Sequence, residues 1–362
     1  MTTPNVPTYG SYLQLGRVLD AQRPPTYGRT PGDTRDLLHH DEMTFIVVHQ
    51  VFELWFKLML HELGRARDLL GRAPSGGVRS ETVAERDVPD VVATVGRVNE
   101  ILRVAVDHFR VIETMHPLSF LAFRDAITPA SGFQSVQFRE MEILAGLPEA
   151  HRERLGGGSY ALHLNPDERA RIERRLGEMT LKDALLDWLG RTPIDETFPD
   201  FAEAFRDAFD GYVAEQEAFH GSNPVLTEAE RAAARTRFDA QRKAIRDYLF
   251  EGSPAELKAR RAFMFITTYR DEPLLRWPST LLDGLVEFEQ AFRMFRFRHA
   301  RMVERMIGAR TGTGGSPGLS YLEQTTAYRI FGNLLEARNF LIARRLLPLP
   351  TKTQMLRFNF GN

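Results

Sequence analysis

Residues 39–70 read HHDEMTFIVVHQVFELWFKLMLHELGRARDLL, and this stretch decides the fold class. Aromatic side chains and one histidine recur in it three or four residues apart, at Phe45, His49, Phe52 and Phe56. This is the spacing of one face of an α-helix. Proline does not interrupt the run, and the single Gly64 is tolerable in a long helix. The stretch therefore predicts one long helix whose aromatic face carries a histidine.

Helical periodicity continues outward from this segment, broken by loops rich in Pro, Gly and Ser. Further helices are predicted over 12–19, 88–113, 115–129, 134–144, 168–178, 181–189, 198–220, 228–250, 255–269, 277–307 and 321–347. No segment shows the sustained apolar–polar alternation of a strand bounded by hairpin turns. The sequence thus predicts an all-α helical bundle in a single domain, 1–362. Within it, 1–35 is predicted to be an N-terminal arm and about 145–260 a polar, peripheral helical insertion.

Composition narrows the class of protein. Hydrophobic residues make up 43% of the 362 residues and charged residues 26%, as in ordinary water-soluble proteins. The formal net charge of -1 argues against a nucleic-acid or membrane-surface partner, which favours a basic excess. No apolar run of transmembrane length and no signal peptide is recognised, so a cytoplasmic location is expected.

Cysteine is absent. This excludes disulfides, thiolate nucleophiles, iron–sulfur clusters and covalent c-type haem attachment. Any metal must be bound by other side chains, and ten histidines are available.

His299 lies on the apolar stripe of the predicted helix 277–307. Its neighbours at offsets of three or four residues are apolar: Phe292, Phe295, Met302, Val303 and Met306. Arg296 and Arg298 are predicted to lie mostly off this stripe. A histidine on an apolar face is commonly a hydrogen-bonded core residue, and the alternative is an axial haem ligand. His49 has the same apolar setting, so the pair fits a haem between two helices; non-haem iron or a metal-free pocket remains an alternative.

Two further features have a structural and a functional interpretation. Arg124 follows Phe120 and Phe123 in a mostly apolar helix, where it either forms a salt bridge, for example with Asp125, or binds a substrate carboxylate. The glycine-rich loop 311–316 is either a simple inter-helix turn or a site where backbone N–H groups and hydroxyls contact a substrate.

Taken together, these segments resemble the tryptophan 2,3-dioxygenase family. The resemblance rests on blocks that occur in the family order over nearly the whole chain. They are YGSYL at 9–13, HDEMTFIVVHQ at 40–50 with ELWFK at 53–57, FRD at 123–125 with PASGFQS at 129–135, RH at 298–299 with VER at 303–305, and GTGGS at 312–316.

The resemblance implies a role for each matching residue. His299 resembles the proximal ligand of a b-type haem, and His49 the distal histidine beside O2 and the indole N–H. Arg124 resembles the carboxylate clamp. The other implied site residues are Phe45 and Phe120 at the indole, Ser131 as a distal hydroxyl, Thr313 at the amino-acid end of the substrate, and Tyr9 and Tyr12 reaching a neighbouring subunit's site in a homotetramer.

The activity that the resemblance implies is oxidative cleavage of the indole C2–C3 bond of L-tryptophan by O2, giving N-formylkynurenine. Gly16 and Pro317 depart from the family pattern close to the implied substrate pocket. These departures leave open one alternative, a haem monooxygenase acting on tryptophan or a substituted tryptophan. A haem-binding sensor without turnover is a further alternative, which Arg124 and Thr313 disfavour because a sensor has no evident need to bind an amino acid.

Overall fold

The computed structural model describes residues 6–26, 39–71, 87–149, 151, 164–315, 318–347 and 350–351. Within these ranges the regular structure is entirely helical, which confirms the all-α prediction. The α-helices are α1 (Tyr9–Leu13), α2 (Leu15–Leu19), α3 (His40–Gly71), α4 (Val88–Ile112), α5 (Pro117–Ile127), α6 (Val136–Ala145), α7 (Pro166–Leu176), α8 (Leu181–Gly190), α9 (Ile194–Thr197), α10 (Phe201–Ser222), α11 (Glu228–Phe250), α12 (Pro254–Thr268), α13 (Arg276–Ile307), α14 (Leu319–Thr325) and α15 (Gly332–Glu336).

Three long helices form the centre of the fold. Helix α4 packs between α3 and α13, and its buried stripe of Val91, Val95, Val98 and Leu102 accounts for that position. The approach of α4 to α13 is close at Gly284, where a Cβ atom would lie 3.4 Å from Val95. The Asn99 amide donates to the Gly284 carbonyl oxygen at 2.9 Å, so a hydrogen bond as well as apolar packing joins the two helices.

By length and composition alone, α3 is apolar enough to cross a bilayer, a test that the central helix of a water-soluble protein also passes. Here α3 packs against α4, α6 and α8. Met59, Leu63, Ala66 and Leu70 are completely or almost completely buried in the core. One face of α3 therefore belongs to the core, while only 22% of its most apolar stretch is buried.

The predicted insertion, 145–260, contains two kinds of helix. Helix α8 packs against α3 and α12, with Leu185, Trp188 and Leu189 buried. Helices α10 and α11 pack mainly against each other, and an ion pair between Arg242 and Glu217 at 2.7 Å joins them. Part of this section is thus built into the central core, while the α10–α11 pair lies beside it.

The prediction of one final helix over 321–347 is wrong. Helix α14 ends at Thr325, and the chain continues as α15 with two short 3-10 turns. Glu289 of α13 supplies a physical reason. Its buried carboxylate accepts hydrogen bonds from the backbone N–H groups of Ile330 and Phe331 at 2.8 Å each. These N–H groups therefore have hydrogen-bond partners without being part of a helix.

Candidate active site

A cavity of about 240 Å³ lies at the centre of the helical bundle. Its walls come from α3, α4, α5, α6, α13 and α14, together with the 3-10 turn Gly132–Gln134 and the loop around Thr313. Most of the lining is aromatic or aliphatic. Seven of the predicted site residues line this one cavity: Phe45, His49, Phe120, Arg124, Ser131, His299 and Thr313.

Tyr9 and Tyr12 are not brought to this cavity. Both lie on α1 and are 78% exposed, and α1 has no buried residue. Their predicted role concerns a neighbouring subunit, which is not part of the structure, so it remains a prediction. Residues 22–26 of the arm are nevertheless hydrogen-bonded to α3, because Gln22 donates to Gln50 at 2.6 Å and Thr26 donates to the buried Glu42.

His299 lines the cavity from α13 beside two neighbouring aromatic rings. Phe109 stacks on the imidazole at a centroid distance of 5.7 Å, and Phe295 lies at 6.5 Å. Within the described part of the chain, neither ring nitrogen has a hydrogen-bond partner. Burial lowers the pKa of His299 to about 4, and the nearby positive charge of Arg139 acts in the same direction. The imidazole is therefore neutral at neutral pH and has lone-pair density available for a ligand.

His49 faces the same cavity from α3. Its Nδ1 lies 2.7 Å from the carbonyl oxygen of Phe45, which assigns the proton of the neutral ring to Nδ1. Nε2 is then an acceptor. Burial lowers the pKa of His49, while the charge of Glu53 opposes this effect. The neutral ring is thus oriented by a backbone hydrogen bond and offers an acceptor for an N–H group.

Three phenylalanines form an aromatic wall beside His49. The ring centroid of Phe45 lies 5.6 Å from that of Phe120 and 5.7 Å from that of Phe123. Its distance to the centroid of the His49 ring is 4.1 Å. Such a wall excludes water and favours a flat aromatic ligand.

Arg124 has no ion-pair partner among the described residues, so its predicted salt bridge with Asp125 is not found. One guanidinium nitrogen, Nη2, donates to the carbonyl oxygen of Thr311. The Nε atom is buried and has no hydrogen-bond partner. A carboxylate entering the cavity would supply the missing acceptor.

The described part of the glycine-rich loop packs on the chain that carries Ser131. Thr313 Oγ1 donates to the carbonyl oxygen of Ala130 at 2.7 Å. A Cβ atom on Gly314 would lie only 2.7 Å from the Cβ atom of Ser131, so glycine is required there. The loop therefore belongs to the cavity wall, while Ser316 and Pro317 lie outside the described residues.

Three charged residues of the cavity wall were not predicted from the sequence. Glu142 accepts from Arg139 at 2.8 Å and from Arg296 at 2.9 Å, and all three side chains are buried. Burial acts to lower the pKa of Arg139, but the charges and hydrogen bonds of Glu142 and Tyr321 together outweigh this effect, and the pKa rises. Arg296, predicted to lie mostly off the apolar stripe, instead packs over the Phe292 ring at 4.5 Å.

Only one pattern in the sequence could have revealed this group. Arg139 and Glu142 are three residues apart on a largely apolar helix, a spacing that allows an ion pair. Arg296 comes from a helix more than 150 positions further along the chain, and local spacing carries no signal for it.

The residues present fit an iron porphyrin. His299 supplies a neutral imidazole in the cavity wall that has no hydrogen-bond partner among the described residues, which is the state that an axial haem ligand requires. The surrounding wall is mainly apolar, and Arg139 and Arg296 add positive charge that suits the acidic edge of a porphyrin. In contrast, no three His, Asp or Glu side chains of the described residues converge as a metal-binding cluster.

Fold and cavity together define an all-helical protein with an aromatic ligand site that carries two neutral imidazoles. The chain belongs to the tryptophan 2,3-dioxygenase family, whose family model matches residues 4–341. This confirms the resemblance found in the sequence blocks.

Relatives with this name are found in bacteria and animals. The tryptophan 2,3-dioxygenase of Sorangium cellulosum is 40% identical over 338 residues, which cover 87% of this chain and 80% of that protein. Tryptophan 2,3-dioxygenase 2 of Ralstonia nicotianae is 37% identical, with 94% and 95% covered. The enzyme of Anopheles gambiae is 34% identical, with 98% and 90% covered. These names favour the dioxygenase over the monooxygenase and sensor alternatives.

Proposed function

We propose that the chain binds haem b through His299 and cleaves the C2–C3 bond of the indole ring of L-tryptophan with O2. The product is N-formylkynurenine, and both oxygen atoms enter it. One observation carries the proposal: two neutral imidazoles line the same aromatic cavity as an arginine that pairs with no carboxylate of the described residues. The family membership of the chain supports the same reaction.

Haem, when bound, supplies the redox-active iron at which O2 becomes reactive toward the indole ring. The protein contributes a neutral imidazole at His299. Phe109 stacks on this ring and Phe295 packs next to Phe109, so the two side chains support the imidazole.

Arg124 and Thr313 bind the amino-acid end of the substrate in this proposal. The guanidinium offers Nε and its remaining N–H groups to the carboxylate, and the Thr313 hydroxyl oxygen accepts from the ammonium group. The loop contact between Thr313 and Ala130 keeps the hydroxyl in place before the substrate arrives. Substrate binding energy is thereby used to orient the indole ring.

His49, Phe45 and Phe120 bind the indole end. The aromatic rings contact the faces of the indole and exclude water. Nε2 of His49 accepts the indole N–H, because Nδ1 is already engaged with the carbonyl oxygen of Phe45. This hydrogen bond fixes which edge of the indole faces the reacting oxygen.

We further propose that the protein is a cytoplasmic homotetramer in which Tyr9 and Tyr12 complete a neighbouring subunit's site. Exposed apolar side chains on the central helices support an interface between copies of the chain. They are Val47, Leu54 and Leu58 on α3, Val104 and Val111 on α4, and Met294 and Phe297 on α13. Where such side chains form a contiguous patch, they commonly mark a protein–protein contact.

The test is mass spectrometry of the product formed from L-tryptophan by the haem-loaded, reduced protein under labelled O2. The proposal predicts N-formylkynurenine with two labelled oxygen atoms. A product with one labelled atom, or turnover that requires an added reductant, would contradict it. Protein without haem is the matched control and is expected to give no product.

A further inference from the structure

Glu53 is a carboxylate in the cavity wall with no assigned part in binding or chemistry. It lies on α3, one helical turn after His49. Ser135 Oγ donates to its Oε1 at 2.6 Å, and Gln137 Nε2 donates to its Oε2 at 2.7 Å. The Gln137 amide also donates to the Glu53 carbonyl oxygen at 2.9 Å. No Lys, Arg or His of the described chain forms an ion pair with this carboxylate.

These hydrogen bonds connect two parts of the cavity wall. Ser135 is the N-cap of α6, where its Oγ accepts the N–H of Phe138 at 3.2 Å. Its own N–H donates to the carbonyl oxygen of Gly132 at 3.1 Å, within the 3-10 turn that begins after Ser131. A single side chain therefore ties the helix that carries His49 to the turn that carries Ser131.

Stability alone does not account for a carboxylate at this position. A carboxylate in a mainly apolar wall costs solvation energy even when it is only partly buried, and among the described residues no cation pairs with Glu53. The neighbouring contact between the same two helices is apolar, with Phe56 and Phe138 at a centroid distance of 5.5 Å. Apolar contacts are not directional, whereas hydrogen bonds to a carboxylate fix distance and angle.

We propose that Glu53 is a positioning residue that sets the His49 imidazole relative to the Ser131 hydroxyl, so that both face the same ligand. The inference rests on the proposed function for its catalytic consequence. Arg124 and Thr313 bind the other end of the substrate, so the effect falls on kcat more than on KM.

Glu53→Ala removes both hydrogen bonds, and we expect kcat to fall by about tenfold while KM changes little, because small misplacements of reacting groups cost this much or more. Glu53→Gln keeps an acceptor for Ser135 and is expected to restore most of the activity. Equal losses in the two variants would overturn the proposal, since charge rather than positioning would then be responsible.

Glu62→Ala is the matched control. Glu62 lies on the same helix and is buried; it accepts from Arg97 at 2.7 Å and does not line the cavity. A double-mutant cycle between Glu53→Ala and Gln137→Ala adds a second test. Positioning through the carboxylate predicts a smaller effect of Gln137→Ala in the Glu53→Ala background than in the wild type, because only its bond to the Glu53 carbonyl oxygen is then left to lose; fully additive losses would contradict it.

Two measurements separate failure of this proposal from failure of the proposed function. Hydrogen exchange of the full-length chain without haem reports the 131–138 segment directly, and we expect faster exchange in Glu53→Ala but not in Glu62→Ala. The C–O stretching frequency of the reduced, haem-loaded protein under carbon monoxide reports the groups beside the iron, and we expect it to shift in Glu53→Ala only. Unchanged exchange or an unchanged frequency in Glu53→Ala would overturn the positioning role, even where the wild-type protein cleaves tryptophan. If the wild-type protein does not cleave tryptophan, the proposed function fails, while the exchange measurement still decides the structural claim.

Discussion

The hydroxyl of Thr313 donates to the carbonyl oxygen of Ala130 at 2.7 Å, and this contact holds a glycine-rich loop against the segment that carries Ser131. The next residue, Gly314, has no room for a side chain, because a Cβ atom would lie 2.7 Å from that of Ser131. The loop and the segment therefore form one continuous piece of the cavity wall, and their contact has measurable consequences.

Gly314→Ala is expected to displace the loop and raise the KM for L-tryptophan by about tenfold, because Thr313 moves with it. Steady-state kinetics measure this change. Gly211→Ala is the control, since a Cβ atom at that helical glycine meets nothing within 4 Å. A KM for Gly314→Ala equal to that of Gly211→Ala would show that the close contact has no part in substrate binding.

Arg124→Ala is expected to raise KM by about thirtyfold, which corresponds to roughly 2 kcal/mol for a lost hydrogen bond to a charged group. Arg124→Lys should recover only part of the loss, because an ammonium cannot form the planar two-bond contact with a carboxylate. Asp125→Ala is the control and should leave KM unchanged, since Arg124 forms no ion pair with its neighbour. A large effect of Asp125→Ala would revive the salt-bridge interpretation of Arg124.

The stability of the haem-free chain should depend on pH through His299. Its pKa is about 4 in the folded chain and about 6.5 in the unfolded chain. Between these values only the unfolded chain binds the proton, so the free energy of unfolding falls as the pH drops from about 6.5 toward 4. Burial lowers the pKa of His49 as well, which acts in the same direction.

The expected loss from His299 is at most about 3 kcal/mol, from the size of the pKa difference. Urea unfolding at a series of pH values measures it. His299→Leu should reduce the pH dependence over this range. An unchanged dependence in that variant would show that the His299 imidazole is not held neutral by burial.

Glu142→Gln removes the negative charge between the buried guanidiniums of Arg139 and Arg296. We expect it to destabilise the protein by about 3 kcal/mol or more, because breaking a buried ion pair leaves buried charge uncompensated. Glu287→Gln is the control at an exposed pair with Arg103, where a change below about 1 kcal/mol is expected. Similar unfolding midpoints for the two variants would contradict the buried network.

Helical periodicity was sufficient to predict the fold class and the two helices that carry His49 and His299. His49 and His299 lie on apolar stripes with a period near 3.6 residues, and both stripes line the cavity. Local pattern failed where distant residues decide the structure. The final helix is interrupted because the carboxylate of Glu289, some forty positions earlier, binds the backbone of Ile330.

Local sequence pattern also fails to predict the charged part of the cavity wall. The spacing of apolar residues in its helix assigns Arg296 to a polar face. In the structure its guanidinium instead donates a hydrogen bond to the buried Glu142 of another helix. The contacts of Glu53 with Ser135 and Gln137 join positions about eighty residues apart. Only tertiary structure reveals which charged side chain meets which partner.

The central claim is that His299 binds the haem iron and that His49 acts on the substrate. Titration of the purified protein with haem, followed by its absorption spectrum and by tryptophan turnover, tests this claim most directly in His299→Ala and His49→Ala. We expect His299→Ala to lose tight haem binding, whereas His49→Ala retains haem and loses most of its turnover. Wild-type haem binding and spectrum in His299→Ala would contradict the account.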